Sequence, residues 1–324
     1  MKKYMLALGL SLLTVLGLFT GCSPKAETAS GSDSLKIVAT IFPEYDWVRQ
    51  VLGDRAGEVQ LTLLLDSGTD LHSYQPTAAD MLTIGECDLF LYNGGESDAW
   101  VERVLVTAAN PDRRALSVME VLGDSVLEEE VVEGMQEAED HDHAEGEAHE
   151  EEADEHVWLS LRNARTACAE IARVLGELDP DHAAEYQTNA ENYMAELEAL
   201  DGEYTALAEN AARRTVLVGD RFPFRYLMDD YGLEYYAAFS GCSAETEASF
   251  ETIAFLSGKT EKLALPCILT TESPQPGVAE TIRSNTASGD QTILQLDSMQ
   301  SAGTGDNYLD IMKENLEVLR QALA

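Results

Sequence analysis

Seven short runs of apolar and β-branched residues, "LKIVATIF", "VQLTLLL", "CDLFLYN", "TVLVG", "LEYYAAF", "CILTT" and "QTILQL", recur along the chain. Longer segments of helical character separate them, among them "PTAADMLTIGE", "SDAWVERVLVTA", "TEASFETIAFLSGKTEKL" and "DNYLDIMKENLEVLRQAL". Strands that alternate with helices pair in parallel and carry the helices on their faces, so the class is α/β. The runs fall into two groups. This predicts two lobes, each a mainly parallel sheet flanked by helices, over residues 35–178 and 213–324.

Residues 179–212 lie between the groups. Behind a capping Asp they place Tyr186, Ala190, Tyr193, Leu197, Leu200, Tyr204 and Leu207 three or four apart, the spacing of one helix face. One long rigid helix of roughly 30 residues, about 45 Å at 1.5 Å per residue, therefore joins the lobes. Such a strut favours small adjustments over wide hinge motion. A coiled coil would need a second segment of this kind.

The first residues, "MKKYMLALGLSLLTVLGLFTGC", combine Lys2 and Lys3, an apolar run to Phe19 and small residues before Cys22. This is the pattern of a secretory signal peptide, 1–21, with lipid attachment at Cys22. The run is short for a membrane span of roughly twenty residues. Residues 22–34, small and polar, read as a flexible tether. The folded part is expected outside the cytoplasmic membrane, lipid-anchored at one end. Cys87, Cys168, Cys242 and Cys267 remain in the mature chain with no CxxC pair. That excludes a zinc ribbon and leaves disulfide pairing open.

The formal net charge of −38 argues against nucleic acid as a partner and in favour of cations. Residues 128–155 alone hold fifteen acidic side chains and no Lys or Arg. The segment 127–155 lacks apolar periodicity, so it reads as a disordered acidic loop inserted in the first lobe. It carries His141, His143 and His149, and His156 stands at its folded edge.

In open α/β sheets, ligands collect beyond the carboxyl ends of strands. His72 follows "VQLTLLL", Asp220 follows "TVLVG", Glu272 follows "CILTT" and Asp297 follows "QTILQL". With His156 they make a mixed imidazole and carboxylate set suited to a divalent metal. Each has a plainer reading: His72 as a turn residue, Asp220 and Asp297 as helix caps, Glu272 as a loop residue. His182, in the first turn of the long helix, reads as a solvated surface residue, and the three tryptophans as packing residues.

The segments "ATIFPEYDWVRQVLGD", "LLDSGTDLHSYQPTAADM", "CDLFLYNGGESDAWVERVL", "DEHVWLS" and "YLDIMKENLEVLRQAL", in this order, resemble the solute-binding lipoproteins of zinc and manganese ABC importers. The resemblance runs from about Leu35 to the C-terminus. It implies a bilobed protein with one divalent metal between the lobes, and its zinc-carrying members often have a His-rich acidic loop where this chain has 127–155. Carried over by position, it implies His72, His156 and Asp297 as ligands. The third family position, usually His or Glu, falls on Arg221, which stays protonated and cannot ligate a metal. Three substitutes are open: Asp220 turning in as a weaker fourth ligand, water or Glu247 filling the place, or a site with three protein ligands. Arg221 is also placed to pair with a carboxylate of the site.

The resulting expectation is a lipoprotein, a monomer, that captures Zn2+ and delivers it to an importer permease. The His-bearing loop favours zinc, Mn2+ being the alternative cargo. His141, His143 and His149 are expected to collect ions loosely near the site. A secreted zinc-dependent hydrolase is the alternative of another class, but no HExxH, G-x-S-x-G or P-loop pattern is present and no general base is identifiable.

Overall fold

The computed structural model describes residues 34–66, 68–106, 109–136, 152–243, 247–272 and 277–324. The signal peptide, Cys22, nearly all of the tether, and His141, His143 and His149 lie outside the described residues.

The first sheet is built from β1 (Lys36–Ala39), β2 (Gln60–Leu63), β3 (Leu89–Tyr92) and β4 (Arg114–Ser117), all parallel, in the order β2-β1-β3-β4. Helices α1 (Phe42–Leu52), α2 (Ala78–Glu86), α3 (Val101–Val106) and α4 (Val118–Leu122) lie between or after these strands. Alternation along the strands divides two hydrophobic layers. Ile37, Ala39, Leu89 and Leu91 enter the main core with α1, while Val38 and Phe90 pack on the other face with Ile84, Trp100 and Val104. Glu44 in the first turn of α1 accepts from the Thr40 N–H, the Thr40 hydroxyl and the Ile41 N–H, closing the strand-to-helix turn.

Helix α5 (Leu161–Leu178), capped by the Ser160 hydroxyl, leads to α6 (Ala183–Asn210), the long helix anticipated from the sequence. Its buried face is Tyr186, Ala190, Tyr193, Leu197, Leu200, Tyr204 and Ala208. Leu207, expected on that face, is only half-buried, because the stripe drifts by one residue at its end and Ala208 takes the inward place.

The second sheet comprises β5 (Thr215–Phe222), β6 (Glu234–Ser240), β7 (Cys267–Thr270) and β8 (Thr292–Gln295), again all parallel, in the order β6-β5-β7-β8. It is flanked by α7 (Arg225–Tyr231), α8 (Phe250–Lys262), α9 (Gly277–Ser284) and α10 (Tyr308–Ala322). Val216, Val218 and Leu269 from its inner face join the same core cluster as Ile37 and Leu91 of the first sheet. One apolar core thus runs through both lobes around α1, α5, α6 and α10.

Buried hydrogen bonds reinforce that continuity. The Tyr308 hydroxyl donates to the Trp158 carbonyl at 2.7 Å, its N–H donates to Asp46 at 2.9 Å, and its ring meets Trp47 edge-on. The Trp158 indole donates to the Ser298 carbonyl at 2.9 Å.

The ends of the acidic segment depart from expectation. Residues 127–136 and 152–155 hold fixed positions: the Glu129 N–H donates to the Glu152 carbonyl, the Asp154 N–H to Leu127, and the Gln136 N–H to Ala238 on β6. Glu130 also pairs with Arg225 and accepts from the Tyr235 hydroxyl. Backbone pairing and cations of the second lobe overcome the local charge repulsion there. Strand β4 was absent from the sequence reading because "RALS" has one branched residue and lies at the sheet edge, largely exposed. All four described cysteines are free thiols, three of them buried.

Candidate metal centre

Both sheets reverse strand order beside their central strands, and the residues of interest gather beyond the carboxyl ends there. His72 lies in a short 3-10 turn, Leu71–Ser73, after β2; the Asp70 carboxylate accepts the His72 N–H at 3.0 Å and fixes that turn. His156 is fully buried at the entry to α5, and its own N–H donates to Asp154 at 2.8 Å.

The outer nitrogens of both rings are held by oxygen partners. His72 Nδ1 is 2.9 Å from the Ser97 hydroxyl and 3.3 Å from Glu155; His156 Nδ1 is 2.9 Å from Asp154. Ser97 in turn donates to Glu155. Burial works against the Glu155 charge, but its bonds to His72 and Ser97 outweigh it and leave the carboxyl below its usual range. Gly95, at φ 81°, makes room for this carboxylate: a Cβ there would overlap the Glu155 carboxyl group.

An acceptor at each Nδ1 draws the ring proton to that side and leaves Nε2 as a bare lone pair. The two Nε2 atoms face each other at 3.3 Å. Two ligands at a Zn–N distance of about 2.05 Å, set at the tetrahedral angle, would stand about 3.3 Å apart. The pair is therefore spaced for one cation.

A third donor completes the only group of three or more potential ligands that converges among the described residues. The atoms of His72, His156 and Cys242 all lie within 4.8 Å of one another. Cys242 follows β6 directly, in the turn after Ser240.

Neither aspartate singled out in the sequence belongs to this group. Asp220 is consumed by the second sheet: one oxygen accepts from the Thr270 hydroxyl and from the Thr271 N–H and hydroxyl, the other from the Arg221 N–H. The register of β5 against β6 shifts between Val218 and Arg221, and Asp220 faces β7 from that irregularity. Asp297 accepts from the Met299 N–H at 2.7 Å, and burial together with neighbouring Glu272 pushes its carboxyl up to about 6. Glu272 itself accepts from Ser298 and Gln300.

Arg221 crosses between the lobes to donate to Asp70 at 2.9 Å, so the carboxylate that caps the His72 turn is gripped from the other side. Burial opposes the Asp70 charge, but the Arg221 hydrogen bond and charge outweigh it and hold the group below its usual range. A cleft of about 150 Å³ lined by Asp70, Arg221, Thr271, Glu272, Ser298 and Gln300 lies around this pair.

The ZnuA profile, described as zinc-uptake complex component A, periplasmic, matches residues 37–322. The chain belongs to the ZnuA family. Among its relatives, the zinc-binding lipoprotein AdcA of Streptococcus pneumoniae is 32% identical over 323 residues, 99% of this chain and 61% of AdcA. The chain thus spans about three-fifths of that relative's length. The high-affinity zinc uptake system protein ZnuA of Bacillus subtilis is 30% identical over 303 residues, 93% of this chain and 91% of its own. The solved Zn(II)-bound ZnuA-like domain of S. pneumoniae AdcA superposes with a TM-score of 0.69 at 27% identity, covering 90% of this chain and 99% of that domain. Among the described residues of this ZnuA-family chain, no helix is long and apolar enough to cross a membrane.

Proposed function

We propose that this ZnuA-family protein captures zinc outside the cytoplasmic membrane and passes it to the permease of an ABC importer. The observation that carries the reading is the His72–His156 pair, with Nδ1 of each ring engaged by hydroxyl or carboxylate oxygen and the bare Nε2 atoms 3.3 Å apart. Neutral imidazoles backed by Asp154 and Glu155 offset the charge of a divalent ion and make its burial tolerable. Cys22 anchors the chain to the membrane through lipid, and the protein acts as a monomer and performs no catalysis. His141, His143 and His149, among acidic neighbours, hold further zinc loosely and raise its concentration near the centre.

Calorimetric titration of the metal-free protein should show one tight zinc per chain, and loss of the protein should impair growth when zinc is scarce. A protein that takes up no zinc at stoichiometric level, or one that prefers manganese in direct competition, would overturn the assignment.

A further inference from the structure

The Arg221 guanidinium is spent on Asp70, and Asp220 and Asp297 accept from local donors. The site would be one donor short unless another element supplies it. We propose that Cys242 is the third protein ligand beside His72 and His156, and that its thiolate makes the site selective for zinc over manganese. This rests on the zinc-capture reading above and adds the ligand and the source of selectivity.

Three observations converge on it. First, the Cys242 sulfur is within 4.8 Å of the imidazole donors of both His72 and His156. A Zn–S bond of about 2.3 Å and a Zn–N bond of about 2.05 Å set the two atoms about 3.6 Å apart, so an inward shift of about 1 Å completes the set.

Second, the turn bearing Cys242 is built for close approach to His156. A Cβ on Gly241 would stand 2.7 Å from His156 Cε1, 3.0 Å from Nδ1 and 3.0 Å from the Phe222 carbonyl. Only glycine lets the backbone pass this near to the ring, and that passage delivers the next side chain to the Nε2 atoms.

Third, the surroundings are acidic. Glu129, Glu155, Asp154 and Glu152 all lie close enough to Cys242 to act on it electrostatically. Glu129 Oε1 is buried without a hydrogen-bond partner. Carboxylates in this number favour a dication held between the thiolate and the two imidazoles. Thiolate ligation suits zinc and does not suit manganese, which favours carboxylate, carbonyl and water oxygen.

The test is cobalt substitution of the metal-free full chain, comparing the unaltered protein with Cys242→Ser and Cys242→His, with circular dichroism to confirm folding. The unaltered protein should bind one cobalt and show an intense sulfur-to-cobalt charge-transfer band. Cys242→Ser should lose the band and lose zinc affinity by more than the roughly 10–100-fold that removal of an outer-sphere partner costs, with manganese affinity little changed. Cys242→His should recover zinc affinity without the band. Stoichiometric zinc binding with no band, and equal affinity in Cys242→Ser, overturns the thiolate ligand while leaving zinc capture standing. Failure of the unaltered protein to bind zinc at all overturns both.

Discussion

His72 Nε2 and His156 Nε2 stand 3.3 Å apart although the residues are 84 positions apart in sequence. Both rings are oriented from behind by one acidic pair, Glu155 with Ser97 for His72 and the adjacent Asp154 for His156. Hydrogen bonds on Nδ1 thus fix the direction in which each Nε2 points.

Removing either imidazole should therefore abolish the tight site. His72→Ala and His156→Ala are each expected to reduce stoichiometric zinc binding to the weak background, read by calorimetry. Unchanged stoichiometry and affinity in both variants would end the assignment of these ligands.

Arg221 holds Asp70, and Asp70 caps the turn that carries His72. Arg221→Ala should retain one zinc per chain but weaken it by about 10–100-fold, the usual scale for an outer-sphere partner. If Arg221→Ala instead binds as tightly as the parent protein, the cross-lobe pair has no part in positioning His72.

Glu44 is buried outright, and desolvation, reinforced by Asp98, raises its carboxyl to about 8. The folded protein then holds a proton that the unfolded chain releases near 4.5, so stability present at low pH is lost as pH rises through that window. The slope approaches about 1.4 kcal/mol per pH unit from this group alone. Glu44→Gln removes the titration, so its melting temperature relative to the parent should climb between pH 5 and pH 8. A difference that stays flat with pH would contradict the buried proton.

Deleting 137–151 removes His141, His143 and His149 and spares the anchored flanks. The cut must stop there because Gln136 bonds to Ala238 and Ser249, and Glu130 to Arg225 and Tyr235. Competition titration should show the weak zinc equivalents gone and the single tight one retained. Loss of the tight site would mean that the loop supplies a ligand.

The fold was readable because its seven better strands are short apolar runs and its linking helix carries a regular buried stripe. β4 escaped because an edge strand needs little apolar sequence, and Leu207 was placed inward because spacing alone does not register a drift of one residue at a helix end. His72 and His156, both singled out from their motifs, meet in the fold with Nε2 atoms 3.3 Å apart. Their neighbour Cys242 carries no such motif, although it lies just past the end of β6. Asp220 and Asp297 also stand beyond strands, and the structure shows their oxygens accepting from local threonines and a backbone N–H. Position beyond a strand selects candidates, and side-chain hydrogen bonding is not visible in that position.

The shared core has a mechanical corollary for unloading. Swinging one sheet away from the other would break Tyr308 from Trp158 and Asp46, pull the Trp158 indole off Ser298, and wet a hydrophobic interior common to both halves. The jaws are in effect welded. An unloading machine would do better to work on the parts outside the weld, the His72 turn with its Arg221–Asp70 clasp and the short turn at Gly241. Cargo would then leave when one small surface segment is peeled back, at a cost set by a few polar contacts.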